Sequence, residues 1–394
     1  MRNLELPGRS PVIATEGMAS TSHVLATSTA ISILKNGGNA MDAAVAACAV
    51  QCVVEPESTG IGGDCFCLYG PEGSDDYIAY NGSGRAPAAA TAKWYADQGI
   101  EKIELSSAHA VTIPGAVDAW VRLIADHGTM SLNDILKPAI NYAKKGYAIT
   151  SRVSSDFARN EEKLQGCENA SKVFLPGGNS LNVGDVHRQP ALAITLEKIA
   201  DQGREGFYQG EIAKDIVEFL QSHGGLHTLD DFKNAKGNYV KPISTKYKGY
   251  DVHQCPPNGQ GIIALMLLKL MERFERAGEC PINLERIHQE IEAGRLAYHQ
   301  RDAYLADPDH SSVSVEQLLS DENIDQMYKL ISEGQAIKEM PDFEMPNHKD
   351  TVYITVVDKD RNCCSFINTL FHNFGSGLMA PKSGFPMAIM MPRS

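Results

Sequence analysis

No run in this chain is long and apolar enough to span a bilayer: the most apolar stretch, Gly261 to Met271, is short and carries Lys269. Basic runs are missing as well. With 49 acidic against 36 basic residues the net charge is −13, so no electrostatic grip on nucleic acid or on an anionic membrane is expected. The opening residues, "MRNLELPGRSPVIATEG", lack the apolar core of a secretory leader. These absences point to a cytoplasmic protein, or a periplasmic one if a leader has been removed, whose partner is a small molecule.

Several chemical signatures are absent too. None of the twelve histidines stands in an HExxH pair and the nine cysteines show no CxxC spacing, so no metal is expected. There is no GxSxG nucleophile elbow, no GxxxxGK[ST] and no GxGxxG, which removes the common serine-hydrolase and nucleotide signatures; no cofactor is expected. The Gly-rich "STGIGGD", Ser58 to Asp64, reads as close backbone packing. The unpaired cysteines read as buried reduced thiols.

What is present is an ordinary globular composition, 43% hydrophobic and 22% charged. Helix and strand signals are mixed throughout. "STSHVLATSTAISILKNGGNAMDAAVAACAV" reads as two helices parted by Gly37-Gly38, with Asn39 capping the second. Ala116, Trp120, Leu123 and Ile124 share one helical face, and "EGFYQGEIAKDIVEFLQSHGG" repeats that pattern at Ile212, Ile216, Phe219 and Leu220. "ISTKYKGYDVHQC" reads as two strands about a Lys-Gly turn, and two long helices follow it. The polar, irregular Ala336 to Asp350 gives way to strands at Val352 to Val357 and Cys363 to Leu370. No composition shift marks a boundary before that linker, so one α+β domain is expected.

Two places carry possible chemistry. "DTVYITVVD", Asp350 to Asp358, is either a buried strand with period-2 alternation or a strand that opens on a chemical centre, Thr351. Arg85, in the small and otherwise uncharged "YNGSGRAPAAAT", is either a surface arginine or a fork for a ligand carboxylate.

Six blocks in order, "LKNGGNAMDAAVAACAVQCVVEPESTGIGGDCF", "NGSGRAPAAAT", "AHAVTIPGAVDAW", "GFYQGEIAKDIVEFLQSHGGLHTLDDF", "YKGYDVHQCPPNGQGIIAL" and "EAGRLAYHQRDAYLADP", resemble the gamma-glutamyltranspeptidase family. "DTVYITVVDKDRNCCSFINTLFHNFGSGL" resembles the start of its small subunit. The resemblance implies an N-terminal nucleophile hydrolase with a four-layer αββα sandwich. It implies a proenzyme that cuts itself between Asp350 and Thr351, leaving residues 1–350 as the large-subunit portion and 351–394 as the beginning of the small subunit. Thr351 matches the nucleophile, Thr369 the threonine that hydrogen-bonds it, and Arg85 the arginine that holds the substrate's α-carboxylate. The implied substrate is a γ-glutamyl amide, the cut fragments would stay associated, and a homodimer is compatible with the family.

A threonine hydroxyl is a poor nucleophile near neutrality, but a freed α-amino group with a pKa of about 8 on the same residue is a nearby base. Cutting before Thr351 therefore creates the base as well as the access. The family's usual "TTH" is "TVY" here, and Phe371 stands where asparagine is common. These departures resemble the transpeptidase-like branch, which includes oxamate amidohydrolase and makes a small amide such as oxamate an alternative substrate. The resemblance further implies a sandwich incomplete at its C-terminal end, without the Gly-Gly oxyanion hole. A catalytically silent family member, or a subunit that needs a separate C-terminal polypeptide, is the alternative that follows.

Overall fold

The computed structural model describes residues 12–275, 280, 282–307, 313–338 and 351–389. Its strands are β1 (Gly17–Ser20), β2 (Asp64–Gly70), β3 (Ile78–Gly82), β4 (Tyr147–Ala148), β5 (Val186–His187), β6 (Asn238–Val240), β7 (Ile243–Tyr247), β8 (Tyr250–Gln254), β9 (Val352–Asp358) and β10 (Cys363–Thr369). Six of them form one antiparallel sheet in the order β1-β9-β10-β2-β3-β6, and β4-β5 and β7-β8 pair separately. The last two strands of the chain thus lie in the middle of the main sheet.

The alternation in β9 places Val352, Ile354 and Val356 in the core, while Tyr353 and Thr355 stay exposed. In β10 the same rule buries Cys364, Phe366 and Asn368 and leaves Cys363 exposed. Asp358 closes β9 with a turn held by its own carboxylate: Oδ1 accepts the N–H groups of Asp360 and Asn362, each at 3.0 Å. Its Oδ2 accepts the Ala40 N–H at 3.0 Å, so a buried carboxylate meets the positive end of the helix Ala40–Val54.

That helix is buried on every side and is built mostly from Ala, Val and Cys, which lets the sheet and neighbouring helices approach it closely. Asn39 and Asp42 form the capping box at its start. Around it pack Val24–Lys35, Ala116–His127 and Leu132–Lys145, and Pro190–Gln202 covers the last of these. Ala116, Trp120, Leu123 and Ile124 are all buried, as their spacing predicts. β7 and β8 form the expected hairpin, turning at Lys248 and Gly249, both with positive φ.

Two features depart from the sequence reading. The segment expected as one helix from Glu205 is two, Glu205–Tyr208 and Gly210–Ser222, parted where Gly210 takes a φ of +72°. A second hydrophobic cluster stands apart from the main core, formed by Ile262, Met266 and Leu270 with Leu296, Ile324 and Met327. Among the described residues no helix is long and apolar enough to cross a membrane.

Candidate active site

Thr351 stands one residue before β9. The pairing of Val352 with Asn368 continues the register so that Thr351 faces Thr369, and their hydroxyl oxygens lie 3.0 Å apart. Thr369 Oγ1 also accepts the N–H of Phe371 at 2.9 Å, which fixes its rotamer. Phe371 has a φ of +73°, so the chain turns away immediately after bonding back to Thr369. Thr351 is exposed and Thr369 half-buried, the arrangement of a hydroxyl open to a ligand with a second hydroxyl orienting it from behind.

On its other side Thr369 is paired with Asp64 of β2. Residues directly opposite one another share a sheet face, so Thr351, Thr369 and Asp64 make a row across adjacent strands. Asp64 Oδ1 accepts the Gly84 N–H at 2.7 Å, while the other carboxylate oxygen has no partner among the described residues. Burial pushes the Asp64 carboxyl up to about 7, against the opposing pull of the Gly84 hydrogen bond.

Gly84 leads to Arg85, whose carbonyl accepts the Ile113 N–H at 2.9 Å. The main chain is therefore held on both sides of the arginine. Its side chain is exposed and makes no ion pair or hydrogen bond among the described residues, leaving a positioned guanidinium at the same end of the sheet as Thr351. Beside it Asn81, Ser83 and Asn258 bond one another at 2.7 to 3.2 Å, a further set of polar groups at the sheet end.

The "STGIGGD" turn serves packing, as expected. A Cβ on Gly62 would meet the Pro386 carbonyl at 2.6 Å, and Asn368 Nδ2 donates to Thr59 Oγ1 at 2.9 Å and to the Gly60 carbonyl at 3.0 Å, tying the turn to β10. Asp350, the other half of the expected cleavage site, lies outside the described residues. Cys280 and Cys363 are exposed and the remaining cysteines buried, all of them unpaired among the described residues. No group of three or more His, Cys, Asp or Glu among the described residues is placed to hold a metal ion.

The structure thus sets Thr351 against Thr369 and carries Arg85 to the same sheet end. Asp64 is the residue that sequence reasoning passes over. Its signal is a lone carboxylate entering the apolar strand "DCFCLYG", masked there by the glycines before it.

A family model described as gamma-glutamyltranspeptidase matches residues 26–393. The glutathione hydrolase-like YwrD proenzyme of Bacillus subtilis is 36% identical, over 95% of this chain and 70% of that protein. The oxamate amidohydrolase proenzyme of Klebsiella pneumoniae is 32% identical, over 94% of this chain and 70% of that protein. Among solved structures, a cephalosporin acylase from Bacillus halodurans superposes with a TM-score of 0.88 at 37% identity, covering 98% of this chain and 72% of that one. The Helicobacter pylori gamma-glutamyltranspeptidase gives 0.76 at 28% identity, covering 87% of this chain and all of that one. These likenesses bear out the expected α+β N-terminal nucleophile hydrolase fold, and the chain belongs to the gamma-glutamyltranspeptidase family.

Proposed function

We propose that this chain is the proenzyme of a threonine-nucleophile amide hydrolase or acyltransferase of glutathione hydrolase type. It is cut between Asp350 and Thr351, and Thr351 then attacks a γ-glutamyl amide. The observation that carries this reading is the 3.0 Å contact between the Thr351 and Thr369 hydroxyls at an exposed sheet end.

In the cut enzyme the freed α-amine of Thr351 takes the proton of its own hydroxyl as Oγ1 attacks the amide carbonyl. Thr369, fixed by the Phe371 N–H, holds that oxygen in line. The proton passes to the departing amine, leaving an acyl ester on Thr351 that water or an acceptor amine resolves. Arg85, whose guanidinium has no partner among the described residues, holds the substrate's α-carboxylate. The smaller amide oxamate is the second substrate reading, favoured by the likeness to the Klebsiella oxamate amidohydrolase proenzyme.

Residues 1–350 and 351–394 would remain one assembly, because β9 and β10 are paired between β1 and β2 of the larger fragment. A cytoplasmic setting is supported by cysteines that are unpaired throughout the described residues. The alternative, a silent chain awaiting a separate polypeptide, is favoured by the large ring of Tyr353, 54% exposed in a central strand.

The test is intact mass spectrometry of the incubated protein and of Thr351→Ala, followed by assay with γ-glutamyl-p-nitroanilide and with oxamate. Fragments 1–350 and 351–394 from the native chain alone, with release of nitroaniline, are expected. A native chain that stays whole and inert overturns the reading in favour of the silent alternative.

A further inference from the structure

Self-cleavage poses a problem that later turnover does not. Before the cut the Thr351 nitrogen is an amide and takes up no proton, so the Thr351 hydroxyl needs another base. Asp64 is the carboxylate in register with the two threonines: Thr351 contacts Thr369 at 3.0 Å, and Thr369 is paired with Asp64. Side chains so paired have Cβ atoms about 4.5–5.5 Å apart. At that spacing one water can pass a proton between the Thr369 hydroxyl and the carboxylate while the Gly84 bond is kept. Gly84 fixes one Asp64 oxygen at 2.7 Å and the other has no partner among the described residues.

The geometry points to Asp64 as the proton acceptor of self-cleavage, acting through Thr369. This rests on the reading that Thr351 cuts its own chain. As Thr351 Oγ1 bonds to the Asp350 carbonyl carbon, its proton passes to Thr369 Oγ1 and the Thr369 proton passes to Asp64. Collapse of the tetrahedral centre breaks the Asp350–Thr351 C–N bond; the departing nitrogen takes the Thr369 hydroxyl proton, and Asp64 returns its proton to Thr369. Water then opens the Asp350 ester, giving an Asp350 carboxylate, a free Thr351 hydroxyl and a free amine. No oxidant or cofactor enters.

Position and acidity agree. Burial raises Asp64 to about 7, where a carboxylate is both partly ionised and basic enough to accept a proton at neutral pH. The titratable groups that feel Asp64 are Cys65 and Tyr208, and burial keeps both neutral near pH 7. Cleavage is therefore slow below about pH 6 and levels off above about pH 8, following ionisation of Asp64.

The experiment follows the cleavage rate of the full chain by intact mass from pH 5.5 to 9, for the native protein, Asp64→Asn and Thr351→Ala, with a thermal melt of each. Asn keeps an acceptor for the Gly84 N–H but takes no proton, so it should slow cleavage by about 10²-fold and flatten the pH profile. An Asp64→Asn chain that cleaves with the native rate and profile overturns the proposal alone, leaving Asp64 as an anchor for the Gly84 turn. A native rate that does not rise between about pH 6 and 8 overturns it whether or not the variant folds. A native chain as inert as Thr351→Ala overturns this proposal and the Thr351 reading together.

Discussion

A Cβ on Gly63 would lie 2.2 Å from the carbonyl oxygen of Thr369. The obstacle is main chain and cannot rotate away, so Gly63→Ala must push the end of β10 aside. Overpacking of this kind costs about 1–3 kcal/mol, and here it also displaces the hydroxyl that meets Thr351. A lower denaturant midpoint and slower cleavage are expected. Gly294→Ala is the control: it lies in a helix with nothing within 4 Å among the described residues and should raise stability by about 0.5–1 kcal/mol.

Thr369→Val removes one hydroxyl at almost constant volume. It strips Thr351 Oγ1 of its partner and leaves the Phe371 N–H without an acceptor. Each orphaned polar group costs about 1–3 kcal/mol. Cleavage and turnover should fall by about 10- to 100-fold and the thermal midpoint by a few degrees, whereas Thr369→Ser should recover most of both. Equal rates for Val and Ser would mean that the 3.0 Å contact does not serve the reaction.

Arg85→Ala tests recognition separately from chemistry. A charge-assisted hydrogen bond contributes about 1.5–3 kcal/mol, so KM for a substrate with a free α-carboxylate should rise by about 10- to 100-fold. The α-carboxamide analogue should be handled alike by both proteins. A matching loss on the amide would assign the arginine to the fold.

Legibility followed the strength of local patterning. The Asn39 cap, the Lys248-Gly249 hairpin and the buried Val352, Ile354 and Val356 were readable because capping, turn chemistry and strand alternation act over a few residues. The four-residue β1 carries no alternation long enough to recognise, and its place at the edge beside β9 is set by tertiary pairing. Thr351 and Arg85 each carried two readings until family resemblance chose between them, since period-2 alternation fits an ordinary strand equally well, and Thr369 entered through that resemblance alone. Asp64 needed the register: its role depends on facing Thr369 from a strand far away in the sequence.

Glu57 offers a prediction about stability and pH. It is buried, and neither carboxylate oxygen is hydrogen-bonded to another described residue. Burial pushes its pKa well above the ordinary carboxylate range against the pull of its own backbone N–H, and the nearby Glu55 and Asp156 push the same way as burial. Folding thus favours the protonated form. The resulting stability is fully present below the unfolded-state value, about 4.3, and is lost as pH rises through the elevated folded value. Glu57→Gln keeps the size and removes the titration, so its thermal midpoint should fall less than the native one from pH 5 to 8, leaving the variant the more stable at pH 8. Parallel midpoint curves would show that the Glu57 carboxylate is not held protonated in the folded chain.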